Sequence, residues 1–415
     1  MREMKDSGIE WIGDIPKNWN MSKIGSLYTQ RNEKVSDKEY QPLSVTMQGV
    51  LPQLASAAKT DDGDNRKLVR VGDFAINSRS DRRGSCGISP LDGSVSLINI
   101  ILTPRTTMHP GYYDWLFHTT LFADEFYKWG HGIVADLWTT RWQEMKSICV
   151  PVPEYAEQKR ISEFLNSECA EIDAVLEKTR ASIDEYKKLK QAVITQAVTK
   201  GIRGNRPMKD SGSIWFGNIP VDWDMKKIKY LFHIKKDIAG QEGYTVLSIT
   251  QKGIVPKDLS KNEGQLAENY SHYQLVNPGD YAMNHMDLLT GWVDISKYTG
   301  VTSPDYRVFV LDDLESNNRS FYLYLMQMCY SNRIFYGLGQ GVSGMGRWRL
   351  QADKFLNFSI VVPSKDEQQE IADYLDAKCA EIDNLISKKE QYITEIENYK
   401  KSLIYEYVTG KKEVI

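Results

Sequence analysis

From Glu157 to Thr199, apolar or small side chains recur every seven positions in two rows. One row is Leu165, Ile172, Thr179, Tyr186 and Val193; the other is Cys169, Leu176, Ile183 and Ala197. Alternating steps of three and four keep one stripe of an α-helix turned toward a partner helix. No Gly or Pro interrupts the run. It predicts a single helix roughly 65 Å long, too long to be buried on all sides, and therefore a spacer.

The pattern occurs twice. At an offset of 210 residues Gln158 falls on Gln368, Leu165 on Leu375, Cys169 on Cys379 and Ile172 on Ile382, and the second stripe continues through Ile386, Ile393, Ile396 and Leu403. Two such helices in one chain are expected to pair with each other, because their effective concentration is high; homodimerisation through the same stripe is the alternative. Lys190 and Lys400, at matched seam positions, are expected to help fix the register.

Outside the helices the polar and apolar pattern is shorter and mixed, and it too repeats. DSGIEWIGDIPKNWNMSKIG near the N-terminus matches DSGSIWFGNIPVDWDMKKIK from Asp210, pairing Trp11 with Trp215, Ile15-Pro16 with Ile219-Pro220 and Trp19 with Trp223. PLSVTMQGVLP and TVLSITQKGIVP read as a strand and a Gly turn, and VGDFAIN (71–77) resembles PGDYAMN (278–284). Residues 113–129 and 321–338 each read as an amphipathic helix, followed by a Gly-bearing loop and a last strand, SICVPVP or FSIVVP. Ser364 with Glu367 reads as a capping box for the second long helix.

The expected fold class is α+β: two tandem globular domains with two long antiparallel coiled-coil helices and an internal pseudo-two-fold repeat. The boundaries are 1–153 for the first domain and 154–203 for its helix, then 204–363 and 364–415 for the second copy.

Composition narrows the classes. The 415 residues are 41% apolar and 26% charged, ordinary for a soluble globular protein, and no apolar run is long enough for a membrane span. MREMKDSG has no signal-peptide core, so the cytoplasm is the expected compartment. The five cysteines include no CxxC pair and read as reduced, buried thiols. A net charge of −3 argues against a uniformly basic nucleic-acid binder, but it permits basic patches on the globular parts.

The doubled arrangement resembles the specificity subunit of type I restriction–modification systems. The resemblance rests on three features: the Ile-Pro-x-x-Trp run before each domain, P-x-P-x-x-x-EQ-x-x-I-x-x-FL at the start of the first long helix, and YKK…VTKG toward its end. It implies a non-catalytic DNA-binding chain with two target recognition domains, each reading one half of a split, asymmetric double-stranded sequence. It also implies helices that hold the domains at a fixed spacing and dock two methyltransferase subunits, with two motor–nuclease subunits in a full restriction complex. S-adenosylmethionine would belong to the methyltransferase, and the chain itself would hold no cofactor or metal.

Given that context, the loops supply the candidate DNA contacts. In the first domain Asn77, Arg79, Arg82 and Arg83 crowd one loop, and Lys128, His131, Thr140 and Arg141 surround the next. Arginine forks match guanine or phosphate. In the second domain the candidates are Asn284 and His285, then Gln340, Ser343, Arg347 and Arg349; Gln340 has the groups to pair with adenine. Trp348 aligns with Trp138 and reads as domain core. Against DNA binding stands a scaffold whose globular parts bind something else.

Two fragments resemble methyltransferase motifs. Phe335-Tyr336-Gly337-Leu338-Gly339 has the letters of a cofactor loop, but it follows a helix pattern where such a loop needs a strand. Ser303-Pro304-Asp305-Tyr306 lacks the second proline of a catalytic motif. No P-loop, HExxH or metal-ligand spacing is present.

Overall fold

The computed structural model describes residues 2–53, 63–132, 138–261, 267, 269–341 and 348–414. The chain forms two compact units, Met1–Arg180 with Glu390–Ile415, and Ala181–Lys389. Each unit contains one globular domain and a segment of each long helix.

The long helices run Tyr155–Lys200 and Lys365–Val408. In the first unit Leu165, Cys169, Leu176 and Leu403 are buried and Ile172, Ile393 and Ile396 half-buried; in the second, Ile183, Leu375, Cys379 and Ile382 are buried and Tyr186, Val193 and Ile386 half-buried. Within each unit the two helix segments are antiparallel. In the first, Asp173 pairs with Lys400 at 2.6 Å and Arg180 with Glu397 at 2.6 Å. In the second, Lys190 pairs with Asp383 at 2.7 Å, and Lys389 lies 5.7 Å from the Tyr186 ring. The two seam lysines thus make the same bond, each to the aspartate that follows a seam isoleucine on the facing helix.

Each domain is built on a four-stranded antiparallel sheet. In the first unit the order is Cys86–Ile88, Phe74–Asn77, Asn99–Pro104, Tyr28–Arg31. In the second it is Val293–Ile295, Tyr281–Met283, Arg307–Leu311, Phe232–Lys235. A hairpin accompanies each sheet, Leu43–Thr46 with Gly49–Pro52 and Leu247–Thr250 with Gly253–Pro256. The last strand of each domain, Cys149–Val152 or Ser359–Val362, pairs with a strand just after the Ile-Pro-x-x-Trp run.

Aromatic side chains fill both cores: Trp19, Tyr28, Phe74, Tyr112, Tyr113 and Phe117 in the first unit, and Trp223, Phe232, Tyr281, Phe309 and Tyr322 in the second. All five cysteines are free thiols. Among the described residues, no helix is long and apolar enough to cross a membrane.

Three expectations need correction. Residues 113–129 are not one helix but parts of two, Pro110–Phe117 and Thr120–Lys128; the Thr119 hydroxyl caps the second by accepting from Phe122 N at 3.2 Å. Residues 321–338 are likewise split, Arg319–Ser331 and Ile334–Leu338, at Arg333, whose φ is +56°. A capping residue inside an amphipathic run ends one helix and starts another without changing the apolar period. The capping box is half made as well. Ser364 Oγ accepts from Glu367 N at 3.4 Å, but the Glu367 side chain turns away into the domain.

The glutamine after that glutamate joins domain to helix. Gln158 accepts from His109 N at 2.8 Å and donates to the Pro153 carbonyl at 2.8 Å; Gln368 does the same with Asn318 N at 2.7 Å and Pro363 at 2.9 Å. Both glutamines are buried, so each must be fully bonded.

Candidate nucleic-acid interface

In both units the end of a central strand and the segment after the helices are stitched together by backbone bonds. In the first, Arg79 bridges to Thr139, which also exchanges both backbone bonds with His131 at 3.0 Å. Thr140 N donates to Ser78 O at 3.0 Å, and Ser80 N to Trp138 O at 3.0 Å. In the second, Gln340 and Arg349 exchange bonds at 2.9 and 3.0 Å, and Leu350 N donates to His285 O at 2.9 Å. Each unit thereby brings its two candidate loops to one place.

A tryptophan anchors each pair of loops. Trp138 Nε1 donates to the Tyr127 carbonyl at 2.7 Å and Trp348 Nε1 to the Tyr336 carbonyl at 2.6 Å; Trp348 also stacks on Tyr336. Trp348 is half-buried against the core. Gly130 and Gly339 make room, since a Cβ on either would lie 2.4 Å from the indole.

The candidates divide by exposure. Asn77 is buried; its amide oxygen accepts from Arg79 N at 3.0 Å and its carbonyl from the Tyr127 hydroxyl at 3.2 Å. Thr140 is also buried, its hydroxyl donating to the Phe126 carbonyl at 2.7 Å. These two side chains hold the loops from inside and are not turned to solvent. Asn284 starts its loop in the same way as Asn77, accepting from Met286 N and Asp287 N at 3.2 Å.

Arg82, Arg83, Lys128, His131 and Arg141 are exposed and Arg79 is half-buried. Arg83 pairs with Asp124 and lies 5.8 Å over the Tyr127 ring, which orients it, while Arg82 and Lys128 have carboxylates only at 3.8 Å. The Glu144 carboxylate accepts from Arg141 N at 3.0 Å, leaving the guanidinium outward.

The second unit has a different chemistry at the same place. Gln340 and Arg349 are exposed. The His285 ring is half-buried, and its Nδ1 has no hydrogen-bond partner among the described residues. Burial, then the charges of Arg307 and Arg349, lower its pKa to about 3, so the ring is neutral. Ser343 and Arg347 lie outside the described residues.

Sequence reasoning missed Arg307. It lies on a central strand, 5% exposed, with Nη2 donating to the Leu350 carbonyl at 2.8 Å and its guanidinium 5.0 Å from the Phe355 ring; burial lowers its pKa to about 10. A strand pattern gives no sign that one position faces a loop carbonyl. The hairpin tips were missed too, although the repeat signalled them. Thr46-Met47-Gln48-Gly49 and Thr250-Gln251-Lys252-Gly253 form the same turn, each Thr hydroxyl bonding the Gly carbonyl and the N–H two residues on. Met47 is 72% exposed, and Gln251 Nε2 donates to Thr290 O at 3.4 Å, beside the candidate loop.

The Phe335 fragment lies on the helix Ile334–Leu338, and Ser303–Tyr306 is a turn closed by Tyr306 N to Ser303 O at 2.9 Å. Neither has the setting of a methyltransferase motif.

Residues 220–398 match the family model described as Type I restriction modification DNA specificity domain. Over those residues the second unit is similar to that domain. A curated relative, the Type I restriction enzyme MjaVIII specificity subunit of Methanocaldococcus jannaschii, is 26% identical over 284 residues, which cover 65% of this chain and 63% of that one, under two thirds of its length. The fold is similar to a solved chain described under complex assembly and conformational transition of the type I R-M system. The TM-score is 0.72 at 12% identity, over 96% of this chain and 99% of the other. It is also similar to the HsdS subunit from Thermoanaerobacter tengcongensis, with TM-score 0.52 at 14% identity over 96% and 98%. The specificity domain as matched contains the second unit's candidate loops.

Proposed function

We propose that this chain is the DNA-reading specificity subunit of a type I restriction–modification complex. Each globular domain, with the boundaries 1–153 and 204–363, reads one half of a bipartite, asymmetric double-stranded target, and the paired helices set the spacing. Two methyltransferase subunits dock on it and bring S-adenosylmethionine; two motor–nuclease subunits complete the assembly where restriction occurs. Chemistry belongs to those partners, and the complex works in the cytoplasm, where the DNA is.

One observation carries this reading: the same loop frame recurs in both units with different side chains projecting from it. Arg82, Arg83, Lys128, His131 and Arg141 are exposed in one, and Gln340 and Arg349 in the other; Arg79 and a neutral His285 lie half-buried beside them. A repeated frame with unlike polar tips suits recognition of two unlike half-sites, because base edges are told apart by donor and acceptor pattern.

Mapping methylated sites in the host genome gives the target. Exchange of residues 1–153 for another domain of the same kind should then change one half of that target and leave the other. A change in both halves, or methylation with no bipartite pattern, refutes the proposal. Binding without sequence preference would favour the scaffold.

A further inference from the structure

The tryptophan of each Ile-Pro-x-x-Trp run is fully buried, and both occupy the same trio. Trp19 Nε1 donates to Glu157 Oε2 at 2.8 Å, and Arg2 bonds the other carboxylate oxygen at 2.6 Å while lying 5.6 Å over the indole. Trp223 Nε1 donates to Glu367 Oε2 at 3.0 Å; Arg206, the repeat equivalent of Arg2, pairs with that carboxylate and lies 5.8 Å over the ring. Glu157 and Glu367 stand in the first turns of the two long helices. Each trio therefore fixes where a long helix begins.

The same indoles also meet the end of a long helix, and it is the other one. In the first unit Gly410, at φ +73°, follows the second helix; a Cβ there would come within 2.9 Å of Trp19 and 2.5 Å of Pro16. In the second unit Gly201, at φ +76°, follows the first helix; its Cβ would come within 3.3 Å of Trp223 and 3.0 Å of Glu367. A side chain there would be strained by the left-handed backbone and by the contact. A lysine secures each end. Lys411 donates to the carbonyls of Ile12 at 2.6 Å and Asp14 at 3.1 Å, and Lys200 to those of Phe216 at 3.0 Å and of Asn218, the equivalent positions.

We propose that Trp19 with Glu157 and Arg2, and Trp223 with Glu367 and Arg206, are positioning residues that set the direction in which each helix pair leaves its domain. They thereby set the spacer length that the protein accepts. The inference rests on the bipartite reading above. One base pair turns the DNA face by roughly 34° and moves it about 3.4 Å, so rejecting a spacer one base pair too long requires angular stiffness at the joint. A buried carboxylate supplies it, since any pose that removes its indole or guanidinium partner leaves a charge unpaired.

The test uses the assembled complex with its methyltransferase subunits and S-adenosylmethionine. Its substrates are duplexes carrying the mapped half-sites at the native spacer and at one base pair more or less. Trp19→Phe keeps a ring and removes the N–H; Glu157→Gln keeps an acceptor and removes the charge. In both variants the preference for the native spacer should fall about tenfold, the weight of one charge-assisted hydrogen bond. Base substitutions within either half-site should cost what they cost the wild type. Unchanged spacer preference in folded variants overturns the inference. So does loss of half-site discrimination together with spacing, or failure of both variants to assemble, which would make the trio a stability element only. A wild-type complex with no spacer preference would instead refute the bipartite reading.

Discussion

His285 shows how one side chain is set by its neighbours. Its imidazole protonates at about 3 in the fold against an ordinary 6.5, held down by burial and by Arg307 and Arg349. Between those values the unfolded chain binds the extra proton, so this residue's contribution to stability is lost as pH falls from about 6.5 toward 3. A His285→Asn variant should therefore lose less melting temperature between pH 7 and pH 5 than the wild type; equal losses would place the acid sensitivity elsewhere. Gly339 is the second case. Gly339→Ala puts a methyl group 2.4 Å from the Trp348 indole and 2.7 Å from Leu288. The strain should cost about 1–3 kcal/mol in thermal or denaturant unfolding. The loop position of these residues was legible, because the Gly-bearing segments stood out between periodic runs. Their exposure was not. Asn77 and Arg82 look alike in a polar loop, and only the fold shows that one holds the loop from inside while the other projects from it.

At the scale of elements, the seven-residue stripe gave both long helices and their pairing surface, because heptad periodicity is a property of the sequence itself. The seam lysines were legible as members of the stripe, though their partners, Asp383 and Asp173, were not, since each lies far away in the chain. Lys190→Ala and Asp383→Ala, alone and together, should show a coupling of about 0.2–1 kcal/mol in unfolding measurements, modest because both groups are partly exposed. A coupling of zero would mean that apolar contacts alone fix the register. The broken helices were misread because Thr119 and Arg333 interrupt the hydrogen bonding without interrupting the amphipathic period, which the pattern alone reports.

For the whole molecule, the repeat was the most legible feature, and it carried the domain count and the expectation of two readers. What it left open was the use of the motif residues, because a tryptophan and a glutamate 138 residues apart give no hint that they bond. Under the bipartite reading, a heptad inserted at matching points of both long helices keeps the stripes in phase and adds about 10.5 Å. The preferred spacer should lengthen, by at most about three base pairs, with both half-sites unchanged; methylation of a spacer series measures it. Altered half-sites would show that the helices do more than separate.

The first unit closes only when both of its separate stretches have been made: the Tyr112 hydroxyl bonds the Val408 carbonyl, 296 residues later, whereas Ala181–Lys389 is one continuous stretch. During synthesis the middle of the chain can finish folding while the beginning still waits for the last helix turns, its core open to proteases and chaperones. Ribosome-bound chains from which residues up to 389 have emerged, while the last helix turns are still in the exit tunnel, should accordingly resist proteolysis over 181–389 and be cut within 1–180.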